Sequence, residues 1–255
     1  MHIHIELAPQ YEFLRQYIEE IPTKFSSLGV TIHQARNIIH VDKAKNVRLV
    51  IKSYQGIYLF NRFVYANILP SKAKRAFEYA RLLINKGFRI PEPVAYIECV
   101  NNLMMKESYF ISTYTDYRPL KEILDMPGDE ARKVLSSLAK YTYQLHQHNI
   151  FHQDYSIGNI LFKQDGDAYV FTLIDNNRMT FGAHSFDYRM KNLRRLDLPL
   201  TMLAYLCQHY AQVSGENELF ALSALLNYRK QRSMRMYRKQ RMKQVFKRLL
   251  IPAYR

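Results

Sequence analysis

Residues 151–175 read FHQDYSIGNILFKQDGDAYVFTLID, and the way this stretch divides decides the fold. Asn159-Ile160-Leu161-Phe162 predicts a short strand, Asp165-Gly166 a hairpin turn, and Tyr169 to Ile174 the returning strand. His152 and Asp154 precede that hairpin, Asn159 stands where it opens and Asp175 where it closes. A hairpin bounded by an amide and a carboxylate brings two hard oxygen donors to one end of a rigid element.

Such a layout suits in-line phosphoryl transfer, which needs one carboxylate beside the acceptor hydroxyl and two oxygen ligands holding magnesium against the phosphates. Asp154 is the expected base, and Asn159 and Asp175 are the expected metal ligands. Working outward, Val47 to Lys52 reads as a strand ending on a lysine, close to the VAIK pattern whose lysine grips the α- and β-phosphates of ATP. Gly29 to His33 and Ile38 to Val41 predict two strands around a tight turn over 34–37; a GxGxxG loop is missing there. A helix is expected from Ser71, its N-cap, to about Gly87, with Ala73, Ala76, Phe77, Ala80, Leu83 and Ile84 on its apolar face. Glu78, in mid-helix, is the expected ion-pair partner of Lys52. Lys72, Lys74 and Arg75 crowd the first turns, where the helix dipole favours acids, and an anionic ligand nearby would account for them.

Elsewhere the chain predicts a helical lead-in up to Phe25 through Tyr11, Leu14, Tyr17 and Ile18, and two strands over 94–97 and 109–112 after Pro91-Glu92-Pro93. A long helix over 129–148 delivers the chain to His152. The fold class that results is α+β, a protein-kinase-like bilobal arrangement: an N-lobe over 1–112 built on a small, mostly antiparallel sheet with one key helix, a hinge over 113–118, and a larger helical C-lobe over 119–255. After Asp175 the chain reads Asn176-Asn177-Arg178 where kinases carry DFG, no APE follows, and Gln153 stands in place of the usual arginine. Control through a phosphorylated activation loop is therefore not expected. Leu196 to Ala211 and Leu219 to Tyr228 predict further helices, ahead of a basic tail.

With 255 residues, 48% of them hydrophobic, the chain can bury a substantial core. Cys99 and Cys207 form no ligand-like spacing and point to a reducing compartment. The apolar stretch Leu198 to Cys207 is too short to span a bilayer, so a cytoplasmic location, or the cytosolic face of a membrane, is expected. The net charge is +15, and the 37 residues from Leu219 to Arg255 hold 11 Lys and Arg and no acid, leaving +4 for the rest. That asymmetry points to an anionic partner: an acidic lipid surface, a phosphorylated glycolipid or nucleic acid. Too few aromatics accompany the tail for a base-stacking platform, which argues against nucleic acid. Met236, Tyr237, Met242, Val245, Phe246, Leu249 and Leu250 interrupt the cations, and some of them are expected to pack on the large lobe, leaving the cations for an anionic membrane surface.

Taken together, several stretches resemble the lipopolysaccharide core kinases, which phosphorylate Kdo or heptose sugars within the wider protein-kinase-like fold. The resemblance rests on Val50 to Tyr54, Ser71 to Glu78, Gly87 to Pro93, His152 to Phe162, Leu173 to Arg178 and Asn192 to Leu196, and covers roughly residues 25–210. It implies that Lys52 and Glu78 position ATP, that Asp154 is the base, and that Asn159 and Asp175 hold Mg²⁺. It also implies a lipid A glycolipid acceptor, with Kdo as first choice and heptose as second, reached through cations such as Lys72, Lys74, Arg75 and Arg178, on the cytosolic face of the inner membrane. Two other readings share parts of the pattern: a small-molecule phosphotransferase resembling the aminoglycoside or choline enzymes, whose acceptor pockets are usually acid-rich, and a non-catalytic pseudokinase-like module binding membrane or RNA.

Overall fold

A computed structural model describes residues 1–55 and 58–250, the side chains of 59, 60 and 246–250 excepted. Its strands are β1 (His2–Leu7), β2 (Val30–Gln34), β3 (Asn37–Ala44), β4 (Val47–Tyr54), β5 (Pro93–Asn101), β6 (Met104–Thr113), β7 (Arg118–Pro119), β8 (Ile150–His152), β9 (Ile160–Asp165), β10 (Ala168–Leu173) and β11 (Met179–Phe181). Its α-helices are α1 (Arg15–Lys24), α2 (Leu59–Asn67), α3 (Lys72–Asn85), α4 (Gly128–Gln147), α5 (Phe186–Leu193), α6 (Leu200–Ser214) and α7 (Glu218–Leu250). The chain divides into two compact units. The first is Met1–Pro119 with Asn159–Lys163 and Phe171–Met179; the second is Leu120–Gly158, Gln164–Val170 and Thr180–Arg255.

In the first unit a six-stranded antiparallel sheet runs in the order β1-β5-β6-β4-β3-β2. The expected helical lead-in is wrong at its start, because residues 2–7 form strand β1 and pair with β5 from His2↔Val100 to Leu7↔Ala95. Ile3 and Ile5 alternate with histidines, a period that suits a strand, and Ile5 and Leu7 pack onto the core. Only from Arg15 does the chain turn α-helical, burying Ile18 and Ile21, after a 3₁₀ stretch over Pro9–Leu14 that buries Leu14. The strand pair expected around 34–37 is present as β2 and β3. Gly29 precedes it with φ of +50°, and a Cβ there would lie 2.2 Å from the Val41 carbonyl oxygen, so both conformation and space demand glycine.

Strand β4 sorts its side chains by parity. Leu49 and Ile51 are fully buried in the core with Val94, Ile97 and Ile111, while Lys52 and Tyr54 lie on the opposite face. Helix α3 begins where the sequence places it: Ser71 is the N-cap and its Oγ accepts the Lys74 N–H at 3.1 Å, a cap worth about 1 kcal/mol. Ala73, Ala76, Phe77, Ala80 and Leu83 are buried, but Ile84 is 38% exposed at the edge of the stripe. Ala73 and Phe77 cluster with Tyr54 and Tyr96, and the small alanine lets the helix lie close to that layer. The β9–β10 hairpin forms as expected, in a three-stranded sheet of order β10-β9-β7.

The second unit is mainly helical, with α4 against α6 and α7 against α5 and α6. Helix α5 has no counterpart among the expected elements, and α6 starts at Leu200 rather than Leu196. Leu219 to Tyr228 and the basic tail form one helix, α7. Its early part is anchored: Ala221 and Leu225 are buried, Arg229 donates to the Leu198 carbonyl at 2.8 Å, and Arg232 pairs with Asp197 at 2.8 Å. The expected packing of the later apolar residues does not occur, since Met236, Tyr237, Met242 and Val245 are all about half exposed or more. Interleaving with cations leaves α7 no continuous apolar stripe to bury. Phe246, Leu249 and Leu250 lie outside the described side chains.

Candidate active site

Two sets of candidate residues fall in the two units. In the first, Lys52 and Tyr54 are neighbours on one face of β4, and the hairpin ends supply Asn159 and Asp175. The Ile174 N–H donates to the Asn159 carbonyl at 3.0 Å, closing the base of the hairpin and holding the two expected metal ligands at the same end. Asp175 adopts a left-handed backbone, φ +61° and ψ +42°, uncommon for a residue with a side chain and concentrated at functional sites. Its Oδ1 accepts from the Lys52 ammonium and, at 2.7 Å, from Asn177 Nδ2. Asn177 Nδ2 also donates to the Tyr54 hydroxyl at 3.1 Å.

The electrostatics follow from burial and proximity. Burial alone would push the Lys52 pKa down, but Tyr54 and Asp175 outweigh it and hold it above the ordinary lysine value. Burial raises the Tyr54 phenol. Lys72, 5.9 Å from the Tyr54 ring, is pushed down to about 8 by partial burial and then by Arg36, Arg178 and Arg75, with Asp175 acting the other way. Arg36, Arg178 and Arg75 thus lie close enough to Lys72 to repel its charge, and Asp175 close enough to favour it. Lys74 is turned elsewhere, to Glu78 at 3.9 Å.

Glu78 is where the structure departs from the sequence reading. It is the only acid in α3, it is exposed, and the expected pair with Lys52 does not form. The buried stripe of alanines and Phe77 sets the rotation of the helix, and that rotation turns position 78 to solvent.

In the second unit Asp154 follows β8, and its N–H donates to His152 Nδ1 at 3.0 Å, so the His152 proton sits on Nε2. Asn192 of α5 donates to the His152 carbonyl at 2.9 Å. Its amide oxygen is thereby left to accept from His146 Nε2 at 3.2 Å, which in turn makes His146 Nδ1 the acceptor of the Tyr210 hydroxyl at 2.8 Å. Burial pushes the His146 pKa down to about 4. Gln153 donates to Thr180 at 2.8 Å and Tyr188 at 2.7 Å, tying the loop to the segment after Asp175 with neutral bonds. Tyr54, Asn177, Asn192 and His146 were not singled out as site residues from the sequence; the one visible signal was Asn176-Asn177 in place of the usual Phe-Gly.

The donor set fits magnesium: one carboxylate and one amide oxygen are hard ligands, and magnesium takes few protein ligands when phosphates and waters complete its shell. Among the described residues no group of three or more His, Cys, Asp or Glu could hold a metal.

A six-stranded antiparallel sheet that bears Lys52 and carries one key helix, in a chain whose second unit is mainly helical, is the layout of the protein-kinase-like class of phosphotransferases. Residues 58–213 match the model of the Lipopolysaccharide kinase (Kdo/WaaP) family, and the chain belongs to that family. It is accordingly an ATP-dependent kinase of lipopolysaccharide sugars. A solved structure described as WaaP in complex with acyl carrier protein is similar over 92% of this chain and 99% of that one, with a TM-score of 0.62 and 15% identity, a likeness of fold. No curated protein matches the chain.

Proposed function

We propose that this kinase phosphorylates a hydroxyl of Kdo, with heptose the second choice, on a lipid A glycolipid, and that Asp154 is the base. The observation that carries the reading is the Lys52–Asp175 pair, which keeps the phosphate-gripping cation and the metal carboxylate together in one unit. Bound Mg²⁺ would neutralise charge on the phosphates. Asp175 and the Asn159 amide oxygen would hold it, while Lys52 leaves Asp175 to grip the α- and β-phosphates. Asp154 would orient the acceptor hydroxyl and take its proton. Lys72, Arg75 and Arg178, joined by Arg36, would face the negative charge of the acceptor; Lys74, directed to Glu78, has less to offer. Among the described residues no helix is long and apolar enough to cross a membrane. We place the exposed cations of α7 against an anionic leaflet on the cytosolic side of the inner membrane, where a lipid-anchored acceptor would be met.

The test is transfer of labelled phosphate from ATP to lipid A precursors bearing Kdo or heptose, beside protein and aminoglycoside acceptors, for wild type and Asp154→Ala. Label on the Kdo precursor alone, lost in the variant while ATP still binds, is the expected outcome. Label on aminoglycosides, or a fully active variant, would refute the assignment.

A further inference from the structure

In a protein kinase the phosphate-gripping lysine is held by a glutamate on the key helix. Here α3 has no acid to offer, because its single carboxylate is exposed and engaged with Lys74. The buried layer beneath the helix is taken instead by Tyr54, 1% exposed and clustered with Ala73, Phe77 and Tyr96. We infer that Asn177 and Tyr54 form a neutral clamp that does the work of the missing helix glutamate, positioning Asp175, and through it Lys52, for the nucleotide.

The clamp follows from donor counting. The Asn177 amide has two N–H groups, one for the Asp175 carboxylate at 2.7 Å and one for the Tyr54 hydroxyl at 3.1 Å. An ionised carboxylate only accepts, so the contact with Asp175 requires Nδ2 rather than Oδ1 and settles which way the amide points. Tyr54, two residues after Lys52 on the same strand face, is the fixed end: it lies in a packed layer, and its ring is 5.1 Å from the Lys52 nitrogen. Asn177 is 4% exposed and follows Asp175 within one turn of 3₁₀-helix, Asn176–Arg178. That turn lies against α3, so the clamp stands on two packed elements. It also accounts for the left-handed backbone at Asp175, which swings the carboxylate back to face the side chain two positions on.

The difference from a glutamate is one of charge. A helix carboxylate would add a negative charge beside the phosphates; an amide and a neutral phenol do not, although Tyr54 also acts directly on Lys52. When Lys52 moves to the phosphates, the Asn177–Asp175 bond would remain, so Asp175 stays aimed after its ion pair with Lys52 is broken. Asn177 and Tyr54 are positioning residues, acting through Asp175 rather than on substrate.

The inference rests on the proposed metal role of Asp175, and the experiment keeps the two apart. Binding of a fluorescent ATP analogue is titrated with and without Mg²⁺ for wild type, Asn177→Leu, Tyr54→Phe and the double variant, with melting curves alongside. One charge-assisted hydrogen bond lost should weaken the Mg²⁺-dependent part of binding about tenfold in Asn177→Leu, leaving metal-free binding unchanged. In that Mg²⁺-dependent part Tyr54→Phe should lose about threefold, and the double variant no more than Asn177→Leu, because Tyr54 reaches Asp175 through the amide; its direct contact with Lys52 is read in the metal-free titration. If Asn177→Leu does not fold, Tyr54→Phe and Asn177→Ser, which keeps one donor, carry the same comparison. Mg²⁺-dependent binding equal to wild type in a folded Asn177 variant overturns the clamp, as do fully additive losses. Wild-type binding that is indifferent to Mg²⁺, or unaffected by Asp175→Ala, overturns the metal role of Asp175 itself and the clamp with it.

Discussion

His146 should make the stability of this protein fall steeply in mild acid. The ring is 1% exposed, stacks on Phe151 with centroids 4.7 Å apart, and has both nitrogens engaged, Nε2 on Asn192 at 3.2 Å and Nδ1 on Tyr210 at 2.8 Å. Protonation would place a charge in that packed layer, and burial accordingly holds the pKa at about 4 against the usual 6.5. A histidine whose folded pKa is depressed contributes stability that is present above the unfolded value and lost as pH falls through the window between the two. The gap corresponds to about 3 kcal/mol in full, of which about 1.4 kcal/mol is gone at about pH 5.5. Urea unfolding at a series of pH values should show this for wild type. His146→Gln, which retains a donor for Asn192 but does not titrate, should be less stable near neutrality and lose less on acidification. Parallel pH profiles for the two proteins would refute the argument. Because Asn192 also donates to the His152 carbonyl, the same window should see the catalytic loop loosen.

Three further outcomes follow from the geometry. Glu78→Gln should keep turnover within about twofold of wild type while Lys52→Met loses about a hundredfold or more, and steady-state kinetics with comparable losses in both would restore the glutamate to the site. Gly29→Ala should cost about 2 kcal/mol or more, since the Cβ meets the Val41 carbonyl and the backbone is left-handed; an unchanged melting temperature would contradict that close approach. Replacing Arg235, Arg238, Arg241 and Lys243 with Gln should abolish salt-sensitive co-sedimentation with anionic vesicles, each cation being worth about 1 kcal/mol at a charged leaflet, and equal binding to neutral vesicles would exclude docking through α7.

Much was legible in the residues before any tertiary structure. The hairpin between Asn159 and Asp175 is written in its turn residues and β-branched flanks, and the start of α3 in the Ser71 cap, because both depend on interactions within a few residues. The strand bearing Lys52 was read from its β-branched run, although it continues to Tyr54 rather than ending on the lysine, and the long helix before His152 from local periodicity. The first strand was missed because a six-residue alternation at a terminus is weak evidence until β5 provides a partner.

What only the tertiary structure decided is which side chains face one another. Sequence placed Glu78 in the right helix and named the apolar face that is buried, but which layer receives that face, Tyr54 and Tyr96, and hence that position 78 turns away from Lys52, is a packing outcome. The same holds for Asn177, read as the loss of a familiar motif, whose partner Tyr54 lies 123 residues away. It holds too for the tail, where hydrophobic residues promised packing that α7 cannot deliver without a continuous apolar face. Element type depends on short-range terms that a chain states about itself. Partnership at a site depends on non-local closure, and the free energy that chooses among closures belongs to the whole core.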